Sequence, residues 1–395
     1  MSIWIVIPAV VVLGYWAAMA VMHAFGLPKI PRVDVRSDRL PEEPLVSVLV
    51  AAKEEEESIA ATMRDLLGQS YSKMELIAVN DRSEDRTGEE MESVKRWAAE
   101  QGLPAAVEVV HIKELPPGWL GKNHALYMAA QAAKGDILLF TDADVRFHKD
   151  ALRSTVHYFL NEQADHLTTL PVMVAKSPLL RAFVHFFLFS LGILKPMWRP
   201  NDDEQTSLGM GVGAFNMLSR SAYEQIGTHR AIALRPDDDL ELGMRVKRAG
   251  LRQRVAVGME LLSVEWYPSL KAALIGLEKN LFAGLKYQLW QVFAATAGQV
   301  LCFVWPFLGV WLTTGWVRGA YIVSVAIMIL LYVGYVRKLS RYRGVEVWLL
   351  PVTALLFVYV LFRSTFLTLR RGGIYWRGTF YSLAELKTMM RDTDR

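Results

Sequence analysis

The chain has 395 residues, 52% of them hydrophobic, and a formal net charge of +4. This excludes a single domain of ordinary soluble composition and places part of the chain in a bilayer. The basic residues cluster beside apolar runs, as flanks for anionic lipid headgroups rather than a nucleic-acid surface, and the lone Cys302 excludes an internal disulfide and a thiolate metal site.

Ile3 to Leu27 carries no charged side chain apart from His23, about the length of one membrane-crossing helix. Lys29, Arg32, Arg36 and Arg39 follow it, and no basic segment precedes it. Residues 1–27 are therefore expected to be a retained anchor rather than a cleaved signal peptide, with the N-terminus outside and the next domain in the cytoplasm. Residues 28–44 read as a linker spaced by Pro28, Pro31, Pro41 and Pro44.

Leu45 to Ala52 is the first expected strand, followed by an acid-rich turn, Glu54 to Glu57, and a helix from Ile59 to Leu67. Acids at a helix start are ordinary macrodipole partners, which accounts for most of these glutamates. Glu75 to Asn80 gives a second strand ending at Asp81, and Val107 to Ile112 a third. The loop Pro116 to Lys122 permits close backbone approach at its glycines, and Lys122 at the start of the next helix can meet a phosphate.

Ile137 to Phe140 reads as a buried strand delivering Asp142 and Asp144 to its carboxyl end. Residues two apart on extended backbone face the same way, so the pair can hold a hard divalent cation that also takes phosphate oxygens; a strand followed by an acidic helix cap is the alternative. Strands alternating with helices predict an α/β fold with a mostly parallel sheet, in which ligands sit at the carboxyl ends. Glu55, Asp81, Asp142 and Asp144 fall at three such ends. The favoured ligand is a nucleotide diphosphate, with Asp81 accepting from base or ribose and the aspartate pair near the diphosphate.

The segments AAKEEEESI, VNDRSEDRT, GWLGKNHAL and TDADV, in this order and spacing, resemble a membrane-bound family 2 glycosyltransferase with a GT-A fold over roughly residues 45–290. The likeness is greatest to the lipid-glycosylating branch, with its ceramide-type, carotenoid-type and hopanoid-associated transferases. The resemblance implies that Glu55 and Asp81 hold the nucleotide, that Lys122 lies close to it, and that Asp142 and Asp144 bind Mg²⁺ or Mn²⁺ as a DXD motif.

Further along, Asp150 to Leu160 reads as a helix and Leu167 to Ala175 as a strand. Phe183 to Trp198 is either a core helix or an interfacial segment beside the acceptor path. Gly209 to Asn216 offers small residues where a sugar or headgroup can approach backbone. The run Asp237-Asp238-Asp239 before a helix is ordinary capping by itself. The family pattern, however, makes Asp239 the catalytic base, with Asp238 the neighbouring choice of register. Where processive relatives carry a Gln/Arg-x-x-Arg-Trp motif, this chain has Gly276 to Phe282, which argues against polymer synthesis. Lys279 there is either a positive charge for the leaving diphosphate or a lysine snorkelling at the bilayer surface.

Ala297 to Leu312, Tyr321 to Val336 and Val347 to Phe362 are the expected C-terminal membrane helices, within residues 291–367, the last of them crossing or re-entrant. Residues 368–395 form a basic interfacial tail whose Gly372 to Gly378 resembles an end motif of the lipid-modifying branch. The expected function is metal-dependent, inverting, non-processive transfer from a UDP-sugar to a hydroxyl of a membrane lipid, at the cytoplasmic face of the inner membrane. A polyprenyl-phosphate transferase or polysaccharide synthase on the same fold is the nearest alternative. A transporter would leave the α/β domain unexplained. The sugar, lipid, metal ion and oligomeric state are not readable from the sequence.

Overall fold

The computed structural model describes residues 3–38, 40, 43–376 and 379–393. Arg39, Pro41, Arg377 and Gly378 lie outside the described residues. The chain divides into two compact units, one comprising Ile30–Val172 and Met197–Glu265, the other the N-terminal helix with Met173–Pro196 and Trp266–Lys387.

The first unit is built on a seven-stranded sheet. Its strands are β1 (Val46–Ala52), β2 (Met74–Asp81), β3 (Ala106–Ile112), β4 (Ile137–Asp142), β6 (His166–Leu170), β7 (Asn216–Ser219) and β8 (Gln253–Val257). A short pair, β5 (Val145–Phe147) and β9 (Leu262–Val264), runs antiparallel beside it. The order is β3-β2-β1-β4-β7-β6-β8, parallel from β3 to β4, with β7 inserted antiparallel between β4 and β6. β1 is buried along its whole length, which explains its unbroken apolar sequence.

Register aligns the functional ends. Ala52 pairs with Asn80 and Ala51 with Asp142, so the segments carrying Glu55, Asp81 and Asp142 leave the sheet at one edge. Because β7 runs the opposite way, its first residue, Asn216, pairs with Phe140, and the glycine-rich segment before it enters at that same edge. The helices Gly121–Ala132 and Asp238–Arg248 pack through Ala125, Leu126, Ala129, Leu242 and Val246 onto Leu49, Ile77, Leu138 and Phe140. Each buried aliphatic side chain of this kind contributes about 1.5–3 kcal/mol, and a charge at Val246 would break the seam.

The expected linker is partly structured. Ile30 is fully buried, and Val33 N–H donates to Val257 O at 3.0 Å while Val257 N–H donates to Pro31 O at 2.9 Å, so residues 30–33 bind the outer strand β8.

Among the described residues of the second unit, four helical stretches are long and apolar enough to cross a membrane: Ile3–Lys29, Leu289–Leu312, Gly315–Leu339 and Val345–Arg371. The second contains a π-helical turn at Val300–Val304. Helix Pro178–Leu194 belongs here rather than to the sheet because its buried face carries Phe183, Phe186 and Phe189. Phe189 stacks on Trp16, whose indole N–H donates to Cys302 O at 3.0 Å. Residues 173–196 and 266–290, expected within the transferase domain, thus group with the apolar helices.

Candidate active site

Asp81 ends β2, and the next residue, Arg82, adopts a left-handed backbone (φ 55°) and turns its guanidinium back onto the carboxylate, with Nε 2.8 Å from Asp81 Oδ1. Gly121 lies against this pair: a Cβ there would overlap Asp81 Oδ2 and Arg82, so only glycine permits the helix to start so close. Glu55 sits in the turn after β1, its N–H bonded to Thr87 Oγ1 at 2.7 Å and its carboxylate accepting from Ser58 Oγ at 3.0 Å.

β4 ends at Asp142, and Ala143 and Asp144 form a turn before β5. The expected extended Asp-Ala-Asp segment is therefore a strand end followed by a bend. It is fixed by the Thr62 hydroxyl, which donates to Ala143 O at 2.8 Å. Burial, with the Asp142 and Glu55 carboxylates nearby, pushes the Asp144 carboxyl up to about 7.

Lys122 is the hub. Its ammonium lies 2.8 Å from Asp142 Oδ1 and 3.2 Å from Asp238 Oδ2. Burial opposes its charge, but Asp142, Asp238 and Asp239 together hold it protonated well above the ordinary lysine range. Asp238 keeps only 7% of its side chain exposed against 38% for Asp142, so Asp142 is the member of the triad open to a ligand. Burial also raises the Asp238 carboxyl.

Asp239 is held differently. Gly213 N–H donates to its Oδ2 and Leu240 N–H to its Oδ1, each at 2.8 Å. Burial first, then the charge on Asp238, pushes it up to about 7, against the pull of Lys122. The carbonyl of Gly213 accepts from Asp142 N–H at 3.1 Å, so one glycine touches both acidic residues, through its N–H and through its carbonyl. A Cβ at Gly213 would stand 2.5 Å from Asp142 Oδ2. Asp237 faces Arg235, at 2.8 Å.

These groups close over a small cavity lined by Lys122, Asp142, Gly213, His229, Asp238 and Asp239. His229, which sequence reasoning passed over, is buried, bonded to Tyr223 Oη at 2.8 Å and pushed down to about 3 by burial and then by the Lys122 charge. Arg82 and Gly213 were also unassigned. Arg82 follows the acid that ends the second strand and Gly213 lies in the glycine-rich segment Gly209 to Asn216, but only the fold shows which atoms they meet. Lys279 lies in the turn Leu277–Lys279 of the apolar helical unit, not in the unit that carries the other site residues.

Among the described residues no group of three or more His, Cys, Asp or Glu forms a ready cation cage. Asp142 and Asp144 nevertheless fit a divalent ion completed by substrate oxygens and water, because crowding of Asp142, Asp144 and Glu55 is the repulsion such an ion would relieve.

Comparison with known proteins agrees with this architecture. Residues 47–227 match the family described as Glycosyl transferase family 2. A mannosyltransferase from Pyrobaculum calidifontis, solved in complex with GDP-Man and Mn²⁺, superposes with a TM-score of 0.52 at 19% identity, covering 92% of this chain and 99% of that one. The fold is of GT-A type, the matched segment is similar to glycosyltransferases, and four helices among the described residues are long and apolar enough to cross a membrane. More particularly, residues 47–227 are similar to family 2 glycosyltransferases, and the chain is similar to the 4,4'-diaponeurosporenoate glycosyltransferases of staphylococci. The Staphylococcus haemolyticus protein is 26% identical over 242 residues, 60% of this chain and 61% of that protein, so less than two thirds of it is spanned. The Staphylococcus aureus (strain USA300) protein is 22% identical over 350 residues, 86% of this chain and 89% of that protein.

Proposed function

We propose that this enzyme moves a sugar from a nucleotide diphosphate sugar, a UDP-sugar, to a hydroxyl of a membrane lipid, with inversion at the anomeric carbon. The observation that carries the reading is the convergence of Asp142 and Asp239 on Gly213, with Lys122 paired to Asp142, at the carboxyl edge of the sheet. Glu55 and Asp81 bind the nucleotide, and Lys122 lies beside its diphosphate. A divalent cation, Mg²⁺ or Mn²⁺ at Asp142 and Asp144, supplies charge stabilisation to the diphosphate when bound. Asp239, or by the neighbouring register Asp238, takes the proton of the acceptor hydroxyl as its oxygen attacks. A carboxyl near 7 suits that task at neutral pH. The absence of a Gln/Arg-x-x-Arg-Trp motif at Gly276 to Phe282 supports single transfer rather than polymer synthesis. Lys279 at the diphosphate remains part of the proposal. The positive residues after the first helix support a cytoplasmic catalytic unit at the inner membrane.

A second reading rests on the relatives. They are named for 4,4'-diaponeurosporenoate, a carboxylate by its name, and a carboxylate acceptor needs no strong base. Replacing Asp239 with Asn separates the two. With a hydroxyl acceptor, transfer falls by about two to four orders of magnitude while donor affinity stays near wild type. With an anionic acceptor, transfer survives. Asp237→Asn and Asp238→Asn serve as register controls, and mass spectrometry of lipid extracts from cells with and without the protein identifies sugar and acceptor together.

A further inference from the structure

Beneath the glycine-rich segment 209–215 lies a closed polar network that the catalytic reading does not use. His166 on β6 is fully buried, with Nδ1 2.7 Å from Gln253 Nε2 and Nε2 3.0 Å from Asn216 Oδ1. Gln253 Nε2 also donates to Gly243 O at 3.0 Å, and its Oε1 accepts from Met210 N–H at 3.0 Å. Asn216 Nδ2 donates to Val212 O at 3.0 Å. Every amide thus has one orientation that satisfies its partners, and it leaves His166 neutral with the proton on Nε2. Burial pushes that imidazole down to about 4, with the Asn216 contact opposing. On the same strand the Thr168 hydroxyl accepts from Val212 N–H at 3.0 Å and donates to Phe215 O at 2.8 Å.

These bonds fix the backbone on both sides of Gly213, through Met210, Val212 and Phe215. Gly213 in turn contacts Asp239 through its N–H and Asp142 through its carbonyl. The segment has no slack on its outer side, since a Cβ at Gly209 or Gly211 would overlap the backbone of Gly243 or Asp239. A polar network buried this fully holds one geometry, because any alternative leaves several unpaired groups in a low-dielectric interior.

We propose that His166, with Asn216 and Gln253 and aided by Thr168, is a positioning residue for transfer: it holds Gly213 where its N–H and its carbonyl orient Asp239 against Asp142. The link to the chemistry rests on the reading of Asp239 as the base. His166 touches neither substrate nor reacting atoms and acts through the loop.

The test measures steady-state transfer into host membrane lipid. The donor is whichever of UDP-glucose, UDP-galactose and UDP-N-acetylglucosamine the wild type uses fastest, and thermal unfolding is followed in parallel. His166→Ala should lower kcat about 100-fold, the scale of a catalytic group displaced by about an ångström, with donor KM within about twofold of wild type. His166→Gln, which can donate at one end and accept at the other, should recover most of that loss. Thr168→Val should give a smaller kcat loss of the same kind, and it decides the matter if His166→Ala does not fold. In an Asp239→Asn background, His166→Ala should add less than about threefold, because coupled residues are not additive. The inference is overturned by wild-type kcat in a folded His166→Ala protein, by a loss confined to donor KM, or by full multiplication of the two losses. If Asp239→Asn itself keeps full transfer, the base assignment fails separately, and a kcat-only loss in His166→Ala, restored by His166→Gln, still upholds loop positioning.

Discussion

Asn123 offers a quantitative test of how the site is assembled. It is fully buried, and its Nδ2 donates to the carbonyls of Ile232, Ala233 and Arg235 at 2.7, 3.3 and 3.0 Å. One amide therefore ties the helix carrying Lys122 to the segment that leads into Asp237, Asp238 and Asp239. Asn123→Asp keeps the shape and replaces the donor with a carboxyl facing three carbonyl oxygens. Ionised, it meets only negative ends of dipoles; protonated, it can satisfy one carbonyl. Full burial raises such a carboxyl by about 3–5 units. A group whose folded pKa stands above its unfolded value holds its proton in the native state across the window between them. Native stability therefore falls as pH rises through that window, and the full penalty applies above it. For a rise of about 3.5 units the penalty is about 2 kcal/mol at pH 5.5 and about 5 kcal/mol at pH 8. A pH-independent loss of about 1–3 kcal/mol for the missing donors adds to both. At about 2–4 °C per kcal/mol for a unit of this size, the variant should lose roughly 6–12 °C more in Tm at pH 8 than at pH 5.5, each measured against wild type at the same pH. Tryptophan fluorescence of detergent-solubilised protein reads this directly. An equal loss at both pH values would refute the burial argument, and an unchanged Tm would refute the anchoring role.

Other expectations follow from the same geometry. Calorimetry should show that nucleotide diphosphate binding by wild type depends on divalent metal and that Asp142→Asn/Asp144→Asn abolishes that dependence; equal affinity with and without chelator in both proteins would remove the cation from the site. Gly213→Ala should fold but lose about two orders of magnitude in transfer, because its Cβ would stand 2.5 Å from Asp142 Oδ2 and displace the carboxylate. Protease digestion of sealed vesicles should leave the sheet unit protected from the outer side, and N-terminal sequencing should find the first helix retained.

Much of the sheet unit is legible in the sequence because its central strands are buried on both faces and read as apolar runs ending in acids. Val46–Ala52, Met74–Asp81 and Ile137–Asp142 are such runs, and their ends place Glu55, Asp81 and Asp142 on one edge. Of the later strands, His166–Leu170 overlaps an expected strand, but the other two of the sheet are not visible in this way. Asn216–Ser219 has four residues and is held between β4 and β6 by partners far away in sequence, so no local period marks it. Gln253–Val257 begins with a glutamine whose polarity is explained by distant partners, His166, Gly243 and Met210. Lys122 was read as a phosphate contact, but its ion pairs with Asp142 and Asp238 join three chain segments that only the tertiary fold brings together.

The three consecutive aspartates show why register matters more than composition at a helix start. Successive residues on a helix turn by about 100°, so neighbours cannot share a partner. Asp237 meets Arg235, Asp238 meets Lys122, and Asp239 meets the N–H groups of Gly213 and Leu240. Asp237 and Asp238 are each held by a cation in contact, Arg235 and Lys122. Asp239 is bound by peptide dipoles rather than by a guanidinium or ammonium in contact, and it lies half-buried beside Asp238. Desolvation and the Asp238 charge raise its proton affinity against the Leu240 N–H bond and the pull of Lys122, toward the range that suits the proposed base. The neighbouring aspartates carry out the other half of this arrangement: Asp238 keeps Lys122 in place, and its negative charge raises the basicity of Asp239.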